Sequence, residues 1–284
     1  MGDKSSIEWT DATFNPWIGC TKVSPGCDRC YAERESERRG WAKWGVGEPR
    51  HRTSEAYWRA PLKWDRKAKA TGKRTRVFCA SLADVFDNEV PNKWRADLWG
   101  VIAATPNLDW LLLTKRIGNV AKMLPDSWGL GSWPNIWLGI SIVNQEEADR
   151  DIPKLLATPA AVRFVSYEPA LAPFDLSRWI HEIPADNDGD RTGHDGGLIS
   201  RIDWIIIGGE SGPGARLFDI AWARSVIAQR KAAGVSCFMK QLGSRAGTLL
   251  RAYDGTWESF PTKDRKGGDP AEWPADLRVR EFPR

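Results

Sequence analysis

Six short, nearly continuous apolar runs recur along this chain and constrain its fold more than any other feature. They occupy residues 76–81, 108–114, 136–141, 162–166, 202–208 and 235–240. Strands buried on both faces look like this. Stretches with helical periodicity lie between most of them, over 91–104, 116–124, 145–157 and 218–233. Strand alternating with helix implies right-handed βαβ units and an α/β class. The expected architecture is a partial or complete parallel (β/α) barrel. Its first strand is poorly defined, so six to eight strands are open. With 284 residues, 42% of them hydrophobic, the chain can build one large core.

A polar group follows each run. Ser81 and Asp84 follow the first, and Thr114, Lys115 and Arg116 the second. Ser141 and Asn144 follow the third, and Glu168 the fourth. Gly208, Gly209, Glu210 and Ser211 follow the fifth, and Lys240 and Gln241 the sixth. In a parallel barrel such strand ends converge on one face, where active sites form. Asp84 and Glu168 would also serve as caps or loop anchors.

The N-terminal region carries Cys20, Cys27 and Cys30 in a C-x6-C-x2-C spacing, within a loop containing Gly and Pro. Thiolates so placed suit a soft metal centre, zinc or iron–sulfur. A closed zinc site would want a fourth Cys or His. None follows nearby: Cys79 and Cys237 fall in apolar runs, and His51 lies 21 residues past Cys30. Five cysteines without an apolar export segment at the start argue against a disulfide framework. Three ligands on a [4Fe–4S] cluster would leave one iron open, able to chelate S-adenosylmethionine.

The blocks IEWTDATFNPWIGCTKVSPGCDRCYAE, FCASLADVFD, LLLTKR, FVSYEPAL, DWIIIGGESGPGARLFD and FMKQLG resemble those of a phage-associated three-Cys-motif family, a domain of unknown function. The resemblance spans residues 7–243. It implies a relationship to radical S-adenosylmethionine enzymes and a (β/α)6-type barrel. Their usual loop has a first gap of three residues, where this chain has six. Arg29 stands where an aromatic residue is usual, and the Gly-Gly-Glu comes after a later strand. On this reading Cys20, Cys27 and Cys30 are the metal ligands. Ser81, Asp84, Ser141, Gly208, Gly209, Glu210 and Ser211 are candidates for binding S-adenosylmethionine. Lys115, Arg116, Glu168 and Lys240 are candidates for positioning the substrate. Such an enzyme needs a reductant protein, and a companion protein is a further candidate partner.

Charge points to the substrate. Residues 34–76 hold fourteen Lys or Arg against five acids, a local +9, while the rest of the chain nets −5 to give +4 overall. A polyanion is the expected partner: DNA, RNA or a nucleotide. Trp41, Trp44, Trp58 and Trp64 in the same segment could stack on bases, or pack the segment onto the domain. The alternative function is a zinc- or cluster-stabilised nucleic-acid-binding protein in phage–host conflict, without radical chemistry. No run is long enough to span a bilayer, and a cytoplasmic location is expected. The domain plan is a barrel over 1–243, with a basic helical insertion at 28–76 and a polar, mobile one at 177–203. Residues 244–284 are expected to form an irregular tail wrapping the barrel.

Overall fold

The computed structural model describes residues 4–128, 133–180, 202–251 and 256–283. They divide into two compact units: Met1–Ser141 with Thr158–Val162, and Ile142–Ala157 with Arg163–Arg284. Seven parallel strands form the α/β framework, four in the first unit and three in the second.

In the first unit the parallel strands are β1 (Ala12–Thr13), β4 (Thr75–Cys79), β5 (Leu108–Thr114) and β6 (Ile136–Ile142), hydrogen-bonded in that order. Between β1 and β4 come β2 (Trp17–Ile18), α1 (Tyr31–Arg39), β3 (His51–Arg52), α2 (Glu55–Trp58) and α3 (Ala60–Thr71). Strands β2 and β3 pair antiparallel. Helices α4 (Asn92–Ala103) and α5 (Ile117–Met123) follow β4 and β5. Each strand interior is apolar on both faces: Val77, Leu111, Leu112 and Leu138 are fully buried.

The lead-in, which reads as irregular in sequence, is part of this core. Residues 12–13 add a short strand beside β4, and Trp9, Phe14 and Trp17 are buried. Phe14 packs edge-on against Trp58, Trp64 and Trp110. A two-residue strand leaves no periodic signal, which is why it was not legible. The first part of the insertion expected to be helical over 28–76 folds so only over α1, because Gly40 takes a left-handed φ of 63° and stops it. The basic stretch from 54 to 70 becomes α2 and α3. Ser54 caps α2, and Pro61 stands in the first turn of α3.

The second unit contains α6 (Gln145–Leu156), β7 (Val162–Tyr167), β8 (Trp204–Gly208), β9 (Phe218–Asp219), α7 (Ile220–Ala232), β10 (Ser236–Gln241), β11 (Ala246–Arg251) and β12 (Thr256–Ser259). Strands β7, β8 and β10 are parallel. The tail is more regular than its sequence suggests. Strand β11 pairs parallel with β9 and antiparallel with β12. Gly247 and the mixed polarity of β11 hide its strand period. Further on, residues 279–282 run along β10. Met239 N–H donates to Val279 O at 2.8 Å, and Glu281 N–H to Cys237 O at 2.8 Å. Phe282 closes on Trp204 and Phe238. Most of the 177–203 insertion lies outside the described residues. No helix among the described residues is long and apolar enough to cross a membrane.

Candidate functional site

The cysteine loop begins where β2 ends. Gly19 bridges to Ala83 in parallel register, and its N–H donates to Leu82 O at 3.1 Å, which sets Cys20 beside Asp84. Gly19 has φ of 112°, and a Cβ there would stand 3.1 Å from Arg50 Cδ, so glycine suits the position twice over. Two arginines then hold the next residues. Arg116 donates to Cys20 Sγ at 3.4 Å and to Thr21 O at 2.6 Å. Arg50 donates to Thr21 Oγ1 at 2.7 Å.

Both arginines are buried and answered by acids. Arg116 pairs with Asp84 at 3.2 Å and reaches Asp87 at 4.0 Å. The Arg50 side chain is wholly buried, pairs with Asp87 and Glu89 at 2.8 Å each, and also donates to Gly45 O and Glu48 O. Asp84 is saturated as well. It accepts from Thr114 Oγ1 at 2.8 Å, Phe86 N–H at 2.9 Å and Lys115 N–H at 3.1 Å. The result is a charged network that fastens the loop carrying Cys20 to the ends of β4 and β5.

Burial pushes the Cys20 thiol up to about 12, with the Asp84 and Asp87 charges adding to the rise and Arg116 opposing it. Burial alone would lower Arg116, but the Asp84 and Cys20 charges outweigh it and raise the guanidinium above its ordinary value.

The second half of the loop is held differently. Residues 25–27 form a 3-10 turn capped by Ser24, and Cys30 stands at the start of α1. Tyr31 of α1 donates to Ser81 O at 2.8 Å, and Lys22 pairs with Glu33 at 2.8 Å. Ser81 Oγ and Leu82 N–H both meet the Asn15 side chain. Cys20, Cys27 and Cys30 are free thiols of intermediate exposure. In kind they suit a soft metal. They are not gathered around a common metal position: no group of three or more His, Cys, Asp or Glu side chains so arranged is found among the described residues.

The other expected residues divide between the two units. Ser81, Asp84, Lys115 and Arg116 surround the start of the cysteine loop, and Ser141 is buried on β6. Lys115 is half-buried at the end of β5 and has no ion-pair partner among the described residues. In the second unit Glu168 and Lys240 form an ion pair, each side chain 18% exposed. A Cβ on Gly208 would meet the Glu168 carboxyl at 3.3 Å. One on Gly209 would fall 2.1 Å from Leu242 O, so the second glycine of the Gly-Gly-Glu permits two backbones to touch. Glu210 is buried and accepts from Arg216 N–H at 2.8 Å and Arg216 Nε at 3.0 Å. Ser211 follows at the start of the same loop, whose Gly212 N–H donates to Ser244 Oγ at 2.9 Å.

Sequence reasoning passed over Arg50, Asp87, Asn15 and Thr21. Arg50 is one of fourteen cations in a basic run, and nothing local marks it as the buried one. The basic segment also loses other members to pairing: Arg38 and Arg39 to Glu35, Arg74 to Asp109, and Arg76 to Asp11. Trp58 and Trp64 are buried, whereas Trp41 and Trp44 are half-buried against Ile18, Ala32, Ala42 and Leu82.

Neither the curated proteins nor the solved structures contain a match to this chain. One family model does match, over residues 4–261, a span holding the cysteine loop, both arginines and the Gly-Gly-Glu turn; the chain belongs to the family described as "Protein of unknown function (DUF5131)".

Proposed function

We propose that this chain is an iron–sulfur enzyme of the radical S-adenosylmethionine type acting on a nucleic acid or nucleotide. Cys20, Cys27 and Cys30 would hold the [4Fe–4S] cluster, which requires the loop to draw its thiols together from the positions described above. The observation that carries the reading is the loop itself: three free, partly exposed thiols within eleven residues, the first of them receiving a hydrogen bond from a buried arginine. When bound, such a cluster supplies one electron to the cofactor's sulfonium group.

The chain's own residues have separable tasks. Arg116 orients Cys20 and favours its thiolate form through the N–H···S bond. Asp84 acts through Arg116, because its oxygens are already taken by Thr114, Phe86 and Lys115. Ser81 is fastened to Asn15 and shapes the loop after β4. Lys115 is the group best suited to an anionic part of a ligand. Glu168 and Lys240 hold one another and would exchange that partner for substrate. Anaerobic purification with iron, sulfide and absorbance measurements tests the reading, followed by reduction with S-adenosylmethionine. We expect about four irons per chain, the number the proposed cluster contains, and formation of 5′-deoxyadenosine. An anaerobically reconstituted, reduced protein that leaves the cofactor intact would remove the radical reading.

A second reading is a zinc- or cluster-stabilised nucleic-acid-binding protein, its phage association resting on the family resemblance. It is favoured by the pairing of Asp84, Glu168 and Glu210, the three acids expected at the strand ends, with Arg116, Lys240 and Arg216. One zinc per chain without iron would select it.

A further inference from the structure

We infer that the exposed face of α3 is a docking surface for the phosphate backbone of a duplex nucleic acid. The helix is divided sharply. Pro61, Trp64 and Ala68 are buried on one side. At about 100° per residue, Lys63, Arg66, Lys67 and Lys69 fall on the opposite side, and all four are exposed. The one acid on the helix, Asp65, is turned away and accepts from Asn107 N–H at 2.8 Å and Asn107 Nδ2 at 3.1 Å. Arg59, just before the helix, is exposed too.

None of these five cations has an ion-pair partner among the described residues, in contrast to Arg38 and Arg39 of α1, which share Glu35. Like charges three and four residues apart destabilise a helix. A face made of them alone, in a chain whose remainder is acidic, calls for an external anion. The face carries one large apolar side chain, Leu62, so it lacks what an interfacial helix inserts into a bilayer. It also lacks an exposed aromatic ring. Trp58 and Trp64 face inward, Trp58 beneath the Arg52 guanidinium at 3.7 Å. Without a stacking platform, binding runs through phosphates rather than splayed bases, which suits a duplex.

The inference rests on the nucleic-acid part of the proposed function and is independent of the cluster. The test is the salt dependence of affinity for a mixed-sequence duplex DNA, measured by fluorescence anisotropy on the full chain. Each phosphate neutralised contributes about 0.9 to the slope of log K against log salt. The variant K63Q/R66Q/K67Q/K69Q, checked for an unchanged circular dichroism spectrum, is expected to lower the slope by about 3.6. The variant R38Q/R39Q on α1 is expected to leave it unchanged. A quadruple variant that keeps the wild-type slope, or an equal loss in the α1 variant, overturns the assignment to α3 while leaving nucleic-acid binding standing. A wild-type chain without salt-dependent affinity overturns both. Loss of binding to phosphatidylserine vesicles, with duplex binding intact, would make the face a membrane surface and also overturn the inference.

Discussion

Arg50 does more for the cysteine loop than its place in a basic run suggests. It is buried with two acids, two carbonyls and a hydroxyl around it. Removing one partner of a buried pair strands the other. Arg50→Met, leaving Asp87 buried with only the more distant Arg116 to answer its charge, is therefore expected to cost about 3–5 kcal/mol, read from the denaturant midpoint. The two glycines of the Gly-Gly-Glu turn make a sharper comparison. Gly209→Ala drives a Cβ into a backbone carbonyl and is expected to cost about 3 kcal/mol or more. Gly208→Ala meets only the flexible Glu168 carboxyl and is expected to cost less. Thermal unfolding of the two variants side by side gives the ranking, and equal losses would contradict it. At the loop itself, Cys30→Ala is expected to abolish iron retention while leaving the far-ultraviolet spectrum unchanged, because Cys30 makes no side-chain cap bond to α1.

At the scale of elements, the Asp11–Arg76 pair ties the lead-in to β4. Arg76 donates from its backbone N–H at 2.9 Å and from its guanidinium at 3.0 Å. Burial alone would raise the Asp11 carboxyl, but the hydrogen bonds and charge of Arg76 outweigh it and hold it below its ordinary value. A depressed carboxylate adds stability above its unfolded value, near 3.9, and loses that stability as pH falls through the folded value. Asp11→Asn should thus destabilise the protein at neutral pH and converge with wild type in acid. Urea titrations at several pH values check this. The same region marks where the sequence was legible. Strands β5 and β8 announced themselves because Leu111, Leu112, Ile205 and Ile206 make unbroken apolar runs. Strand β1 has only Ala12 and Thr13, and β11 carries Gly247 and Thr248, so neither had a period to read. The Arg116–Cys20 bond joins residues 96 positions apart, and no spacing rule reaches that far.

Across the whole molecule, charge and closure are set by tertiary pairing rather than composition. Much of the +9 segment is answered by acids, which leaves the α3 face as its densest group of cations without an ion pair among the described residues, and eight of the seventeen tryptophans become core. Trp110, Trp204 and Trp273 are fully buried, with their indole N–H groups donating to Thr105 Oγ1, Glu281 O and Gly267 O. Removing residues 279–284 would leave β10 paired with β8 but strip its outer edge of a partner, and would uncover Trp204 and Phe238. The truncated chain is expected to aggregate on size-exclusion chromatography, whereas intact protein should not.

The strip of chain along β10 also bears on the order of synthesis. As the polypeptide emerges, β10 is complete well before residues 279–282 exist. Throughout that interval its outer backbone groups have no partner and Phe238 has no cover from Phe282. Slow translation over β11 and β12 would lengthen the exposure, and a chaperone that binds extended apolar segments would find its best target there.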